Sequence, residues 1–164
     1  MSEIQTYNFS NLIYSLPERH KTILEWGLKN KNKIFPWSEI HSKKLAIIPK
    51  GIYKPEGWKY AISVKTVIQG PYDDGDVFVK PSSGEWRSDY RPESNLSAYT
   101  NKALIECQKD FIPVLYFKQT AKKPNTSYRL IGPCLVYYSK DFNYFNLYGF
   151  SDEGELNNFQ YSNN

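Results

Sequence analysis

Few residues in this chain of 164 could build a covalent or metal-dependent centre: it has two cysteines, two histidines and one methionine. Cys107 and Cys134 stand alone, each beside apolar residues. They read as two reduced, buried thiols rather than a disulfide framework or a zinc pair. The sequence has no HExxH, no CxxC and no phosphate-cradling glycine loop of the P-loop form. An HNH-type nuclease needs a histidine base with metal ligands near it. His20, expected in a helix, and His41, expected in a loop, both lack that surrounding pattern. Asp73-Asp74-Gly75-Asp76 looks like a piece of a calcium loop but lacks its spacing and closing glutamate. The expectation is no catalytic residue, no metal and no cofactor. Apolar runs are also short, well under the roughly 20 residues that span a bilayer. The start, MSEIQTYNFSNLIYSL, lacks a basic stretch followed by an apolar one, so no signal peptide is expected. No membrane and a cytoplasmic location follow as expectations.

Net charge is only +4, too small to imply a nucleic-acid partner by itself, so its distribution matters more. Between Ser42 and Lys65 stand Lys43, Lys44, Lys50, Lys54, Lys59 and Lys65 against a single acid, Glu56. From Thr66 to Thr100 the sign reverses: Asp73, Asp74, Asp76, Glu85, Asp89 and Glu93 outnumber Lys80, Arg87 and Arg91. A basic stretch beside an acidic one suggests a phosphate-gripping surface next to a pocket with another task; ordinary solvated faces are the bland alternative. Aromatics make up 16% of the chain, with 14 Tyr and 4 Trp. Some must fill the core, but their flat faces also suit base stacking.

Ser15-Leu16-Pro17-Glu18 has the form of a capping box and predicts a helix ending near Asn30, with Leu16, Ile23, Leu24, Gly27 and Leu28 on one face. Phe35-Pro36-Trp37 reads as an extended packing anchor. Strands are predicted over 45–48, 61–68, 76–80 and 86–91, with Pro81-Ser82-Ser83-Gly84 as a turn between the last two. A second helix is predicted over 101–110 and three strands over 112–119, 128–138 and 144–150. Lys122-Lys123-Pro124-Asn125 reads as a basic loop, and the polar tail from Ser151 as a fraying end. Many strands with two helices predict an α+β fold, a curved, barrel-like sheet with helices against it.

Several short segments occur in a telling order: Gly51-Ile52-Tyr53, Ala61-Ile62-Ser63, Gly70-Pro71-Tyr72-Asp73-Asp74, Tyr90-Arg91, Asn101-Lys102-Ala103-Leu104, Pro113-Val114, and Tyr128 with Gly132. This order resembles the SET- and RING-associated (SRA) family of modified-cytosine readers. Within that family it is most similar to the SRA-like domains of bacterial McrA-type HNH restriction endonucleases. The resemblance covers about Leu45 to Phe150. It implies a PUA/SRA-like twisted β-barrel with two or three packed helices. Residues 45–164 would form the base-flipping DNA-binding domain, and residues 1–44 an N-terminal helical extension packed on it.

The resemblance also implies a site. Tyr72 matches the aromatic of the family's Gly-Gly-Tyr-acid-Asp segment, with Pro71 in place of the second glycine. Asp74, or Asp73 or Asp76, would accept a hydrogen bond from a cytosine amino group. Tyr90 resembles the Tyr of a Tyr-x-Gly segment that stacks on the base, although Arg91-Pro92 follows it here. Trp86 completes the expected pocket. Asn101 and Tyr128 match structural positions, and the family's Asp-Gly after the latter is not retained. DNA-backbone contacts are expected from Lys50, Lys54, Lys65, Lys118, Lys122 and Lys123.

The chemistry is coherent. A flipped base loses a few kcal/mol of stacking and pairing, which the pocket must return. Two aromatic walls return roughly 1–3 kcal/mol per stacked base. An ionised carboxylate only accepts, so it favours an amino group over a carbonyl. The expected partner is double-stranded DNA with a modified base, in a prokaryotic restriction system, with cleavage by a C-terminal nuclease domain or a partner nuclease. Alternatives are an RNA-binding PUA-like module, an enzyme acting on a flipped nucleotide such as a glycosylase, and a protein-interaction domain.

Overall fold

The computed structural model describes residues 6–46, 51–68, 77–91, 99–141 and 143–157. Within them the chain is mixed α+β. The N-terminal part is helical but also supplies strands. After β1 (Thr6–Asn8), the short α1 (Phe9–Ile13) is capped by Asn8, whose Oδ1 accepts from the Asn11 N–H at 3.2 Å. The helix α2 (Glu18–Lys29) starts from Pro17, with no side-chain cap. The expected capping box therefore does not form: Pro17, not Ser15, occupies the capping position. At the other end Asn30 closes α2 on the Trp26 carbonyl through both its backbone N–H and its side-chain amide.

His20, Leu24 and Gly27 form the buried stripe of α2. A methyl on Gly27 would overlap the δ-carbons of Leu115, so the missing side chain sets how closely the helix approaches the sheet. Phe35-Pro36-Trp37 divides between two elements. Ile34–Pro36 is the edge strand β2, and Trp37 opens α3 (Trp37–Ser42), its N–H donating to the Thr126 carbonyl at 2.9 Å. His41 consequently lies in a helix rather than a loop.

The remaining strands are β3 (Ile52–Tyr53), β4 (Ser63–Thr66), β5 (Phe78–Val79), β6 (Trp86–Tyr90), β7 (Val114–Ala121), β8 (Ser127–Ser139), β9 (Tyr144–Gly149) and β10 (Glu155–Asn157), with α4 (Tyr99–Asp110) before β7. Eight of the strands form one sheet in the order β3-β4-β7-β8-β9-β6-β5, with β2 paired to β8 off that path. The β4–β7 pair is parallel and the other pairs are antiparallel. The long β8 carries β7 along one side; on the other it pairs with β2 through Ser127–Arg129 and with β9 from Cys134 onward. Among the described residues the path does not close into a barrel. Leu45 and Ala46 are buried but not in a strand, and residues 47–48 lie outside the described residues.

The other strand expectations hold with different ends: β4, β5, β6 and β9 are shorter than expected, while β7 runs on to Ala121 and β8 spans Ser127–Ser139; the 81–84 turn joins β5 to β6. The tail differs from expectation. Through Asn157 it does not fray, because β10 pairs with β1 and Phe9 donates to the Gly154 carbonyl. The core runs from Phe9, Ile13 and Leu24 through Leu115, Tyr116 and Phe117 to Phe145, Leu147 and Phe150. Helices and sheet thus bury one continuous apolar mass. No helix among the described residues is long and apolar enough to cross a membrane.

Candidate functional site

Of the expected base-pocket residues, Tyr72, Asp73, Asp74 and Asp76 lie outside the described residues, as does Lys50. Trp86 and Tyr90 are both on β6, four residues apart and hence on the same face of that strand. Both are buried, 2% and 5% exposed. The Trp86 ring stacks on Tyr116 at 5.7 Å and lies across Gly149, its directly opposed partner on β9. A methyl on Gly149 would overlap three atoms of the indole. The Trp86 indole N–H is buried without an acceptor among the described residues. Tyr90 places its hydroxyl where a side chain on Gly51 would be. Stacking on a base would require the Tyr90 ring to withdraw from that position.

Gly51 also accepts from the Lys65 N–H at 2.7 Å. This brings Gly51, Lys65 and Tyr90, far apart in sequence, to one corner of the sheet. Behind the corner, Thr66 and the Tyr116 hydroxyl share a buried hydrogen bond of 3.0 Å. Lys65 is 4% exposed, and its ammonium sits 5.7 Å from the Trp37 ring centroid. Burial lowers its pKa from the ordinary lysine value, because a charged ammonium loses solvation there. Trp37 in turn packs against His41 and Tyr128, with ring centroids 5.8 Å and 5.6 Å away.

Trp37 also lines a broad groove of about 980 Å³ with Ile34, Lys123, Asn125 and Ser127. The groove carries aromatic surface, hydroxyls and a cation. Lys122 and Lys123 are exposed on the loop between β7 and β8 and have no ion pair among the described residues. The other basic candidates are placed differently. Lys54 is tied into its own turn, donating to the carbonyls of Pro55 and Trp58. Lys118 is half-buried, opposite Arg129 across the strands. Lys65 is enclosed behind Trp37.

A second cavity, of about 380 Å³, opens at the β5–β6 edge. Phe78, Lys80, Glu85, Trp86, Arg87 and Tyr148 line it, with the end of β10 alongside. Of these only Trp86 was singled out from the sequence. Strand register could have found others: Phe78, Arg87 and Tyr148 are directly opposed across β5, β6 and β9 and so form one row. The Arg87 guanidinium lies 5.2 Å from the Tyr148 ring centroid. Burial raises the Tyr148 pKa, partly offset by Arg87. Glu85 could not have been found this way, because its burial depends on β10.

The two thiols fit their sequence reading, free and buried. Burial holds the Cys107 pKa up at about 12 and raises that of Cys134, so neither is a nucleophile at neutral pH. Among the described residues no group of three or more His, Cys, Asp or Glu could hold a metal. Compared with family models, curated proteins and solved structures, the chain finds no match.

Proposed function

We propose that this chain reads double-stranded DNA carrying a modified base, a 5-substituted cytosine, by holding that base flipped out of the stack. In this reading it is the recognition module of a modification-dependent restriction system in a prokaryotic cytoplasm. Residues 45–164 form the PUA/SRA-like reader and residues 1–44 its packed extension. The chain itself does not cut; a C-terminal nuclease domain or a partner nuclease does. Tyr72 and the acids of the Asp73–Asp76 segment, chiefly Asp74, hold the base.

One observation carries the reading: the meeting of Gly51, Lys65 and Tyr90 at a single corner. These residues belong to, or adjoin, separate pieces of the SRA-like pattern, and the Gly70–Asp76 segment follows β4 from that corner in sequence. The same corner connects through Lys65 and Trp37 to the groove that holds Lys123. In this reading the base is held beside that basic, aromatic groove, where phosphate contacts position the duplex and base contacts specify it.

The test is a binding screen over duplexes that differ only in the cytosine 5-substituent, with 2-aminopurine beside the variable base. One modified duplex should bind in preference, with a rise in fluorescence. Tyr72→Ala should cost roughly 1–3 kcal/mol of that preference. Lys122→Ala with Lys123→Ala should weaken modified and unmodified duplexes alike and flatten the salt dependence, by about 0.9 in slope per lost contact. Equal binding of all duplexes with no fluorescence change, or tighter binding of RNA than DNA, would overturn the reading.

A further inference from the structure

We propose that the cavity at the β5–β6 edge is a nucleotide-binding site, one that takes an unpaired nucleotide whose base carries an exocyclic amino group. The proposal does not rest on the modified-base reading, and its site lacks Tyr72, Asp74 and Tyr90. Trp86, which lines the cavity, and Tyr90 are four residues apart on β6, roughly 13 Å along the strand.

Three features of the lining point to this ligand. The first is an unpaired carboxylate. Glu85 is 9% exposed, yet it forms no ion pair among the described residues. Its carboxylate is held by two donors, the Asn157 N–H on Oε1 at 2.8 Å and the Ser83 hydroxyl on Oε2 at 3.0 Å. Each oxygen keeps further acceptor capacity. A nearly buried carboxylate fixed in this way is an acceptor waiting for a donor, and an exocyclic amino group of cytosine or adenine supplies one.

Two cations in the same lining are the second feature. Lys80 and Arg87 also line the cavity without an ion pair among the described residues. Together with Glu85 they leave the lining with a net charge of +1, which favours an anion over a zwitterion such as a free amino acid. A phosphate matches both, through the fork of the guanidinium and the point charge of the ammonium.

The third feature is the aromatic surface. Phe78 is 70% exposed and lines the cavity, so it offers an open ring face to a ligand there. It stands in one row with Arg87 and Tyr148, and Arg87 is already parallel in role to a stacking partner over the Tyr148 ring. A base laid against Phe78, beside the Arg87 guanidinium, would remove apolar surface from water and place its edge toward the carboxylate. The volume lies within the range of small-molecule sites, about 300–1,000 Å³.

The experiment is a nitrogen–proton NMR titration of the full chain, following the backbone amides of Lys80, Glu85 and Arg87. CMP, AMP and UMP are the free probes; single-stranded oligo(dC) and oligo(dT) report a nucleotide within a strand. CMP and AMP should shift these amides in a saturable way and bind about tenfold more tightly than UMP. Shifts with oligo(dC) alone would still support the site and assign the ligand to a strand. Glu85→Gln should reduce the CMP-over-UMP preference to under about threefold, and Arg87→Ala should weaken CMP about tenfold. Phe78→Ala, at an exposed position, should weaken every nucleotide while leaving the fold intact. The proposal is overturned if no nucleotide moves these amides, if UMP binds as well as CMP, if free tryptophan competes equally, or if Phe78→Ala and Arg87→Ala both bind as the parent does.

Discussion

The two faces of β6 obey opposite rules. On one, Trp86 and Tyr90 are sealed in, each large ring matched to a glycine: Gly149 beneath Trp86 and Gly51 beside the Tyr90 hydroxyl. On the other, Arg87 is exposed and rests over Tyr148, with Phe78 open to solvent next to it. On the sealed face the rings pack against glycines, and its aromatic residues hold the sheet together. The open face has spare volume, and its Arg87 forms no ion pair among the described residues. Aromatic residues on one strand can therefore serve packing or recognition, and what lies opposite each ring decides which.

The largest effect should come from adding one methyl to the sealed face. Gly149 is paired with Trp86 on one side and Cys134 on the other, so the strand cannot move away from an added side chain. Gly149→Ala should destabilise the protein by about 3 kcal/mol, seen as a lower midpoint in urea. A midpoint equal to the parent's would mean that Trp86 does not lie across Gly149 and that the sealed face is not sealed.

A second enclosed ring sharpens the contrast through pH. His20 is 1% exposed, its Nε2 has no partner among the described residues, and its ring lies 4.9 Å from that of Trp58. Burial depresses its pKa from 6.5 to about 4. Between those values the unfolded chain takes up a proton that the folded chain refuses. Stability should therefore fall as pH drops from about 6.5 to about 4, by up to about 3 kcal/mol, and level off below that. His20→Leu should flatten this part of the stability–pH curve. An unchanged curve would show that His20 titrates normally.

The smallest effect is expected on the open face. Arg87→Ala removes an exposed guanidinium, so the urea midpoint should move by no more than about 0.5 kcal/mol. A loss as large as that of Gly149→Ala would mean that Arg87 is a packing residue and that the two faces do not differ.

Much of the fold was legible in the residues. Runs of β-branched and aromatic residues located β6 to β9, and apolar residues on one helical face located α2 and α4. β1, β2, β3, β10, α1 and α3, of two to six residues each, were not legible, because they are too short to show a period. Ile34-Phe35-Pro36 becomes a strand only because β8 offers a free edge there, and Glu155–Asn157 only because β1 does. For the site, a resemblance of spaced segments singled out Trp86 and Tyr90, and strand alternation put them on one face. Their burial could not be foreseen, since it depends on Gly51, Tyr116 and Gly149 from other strands.

What the sequence determined alone is local: the mixed α+β class, the strands rich in β-branched and aromatic residues, the buried free cysteines and the basic loop at Lys122-Lys123. These rest on period and residue type, which need no distant partner. Tertiary structure alone decided which aromatic residues are enclosed and which are open, that Lys65 is desolvated behind Trp37, and that Glu85 is held by Asn157 at the edge of a cavity. Each depends on residues brought from tens of positions away, Asn157 from 72 residues beyond Glu85. Solvation of a charge or a ring is a property of everything packed around it, and no stretch of neighbouring sequence contains that information.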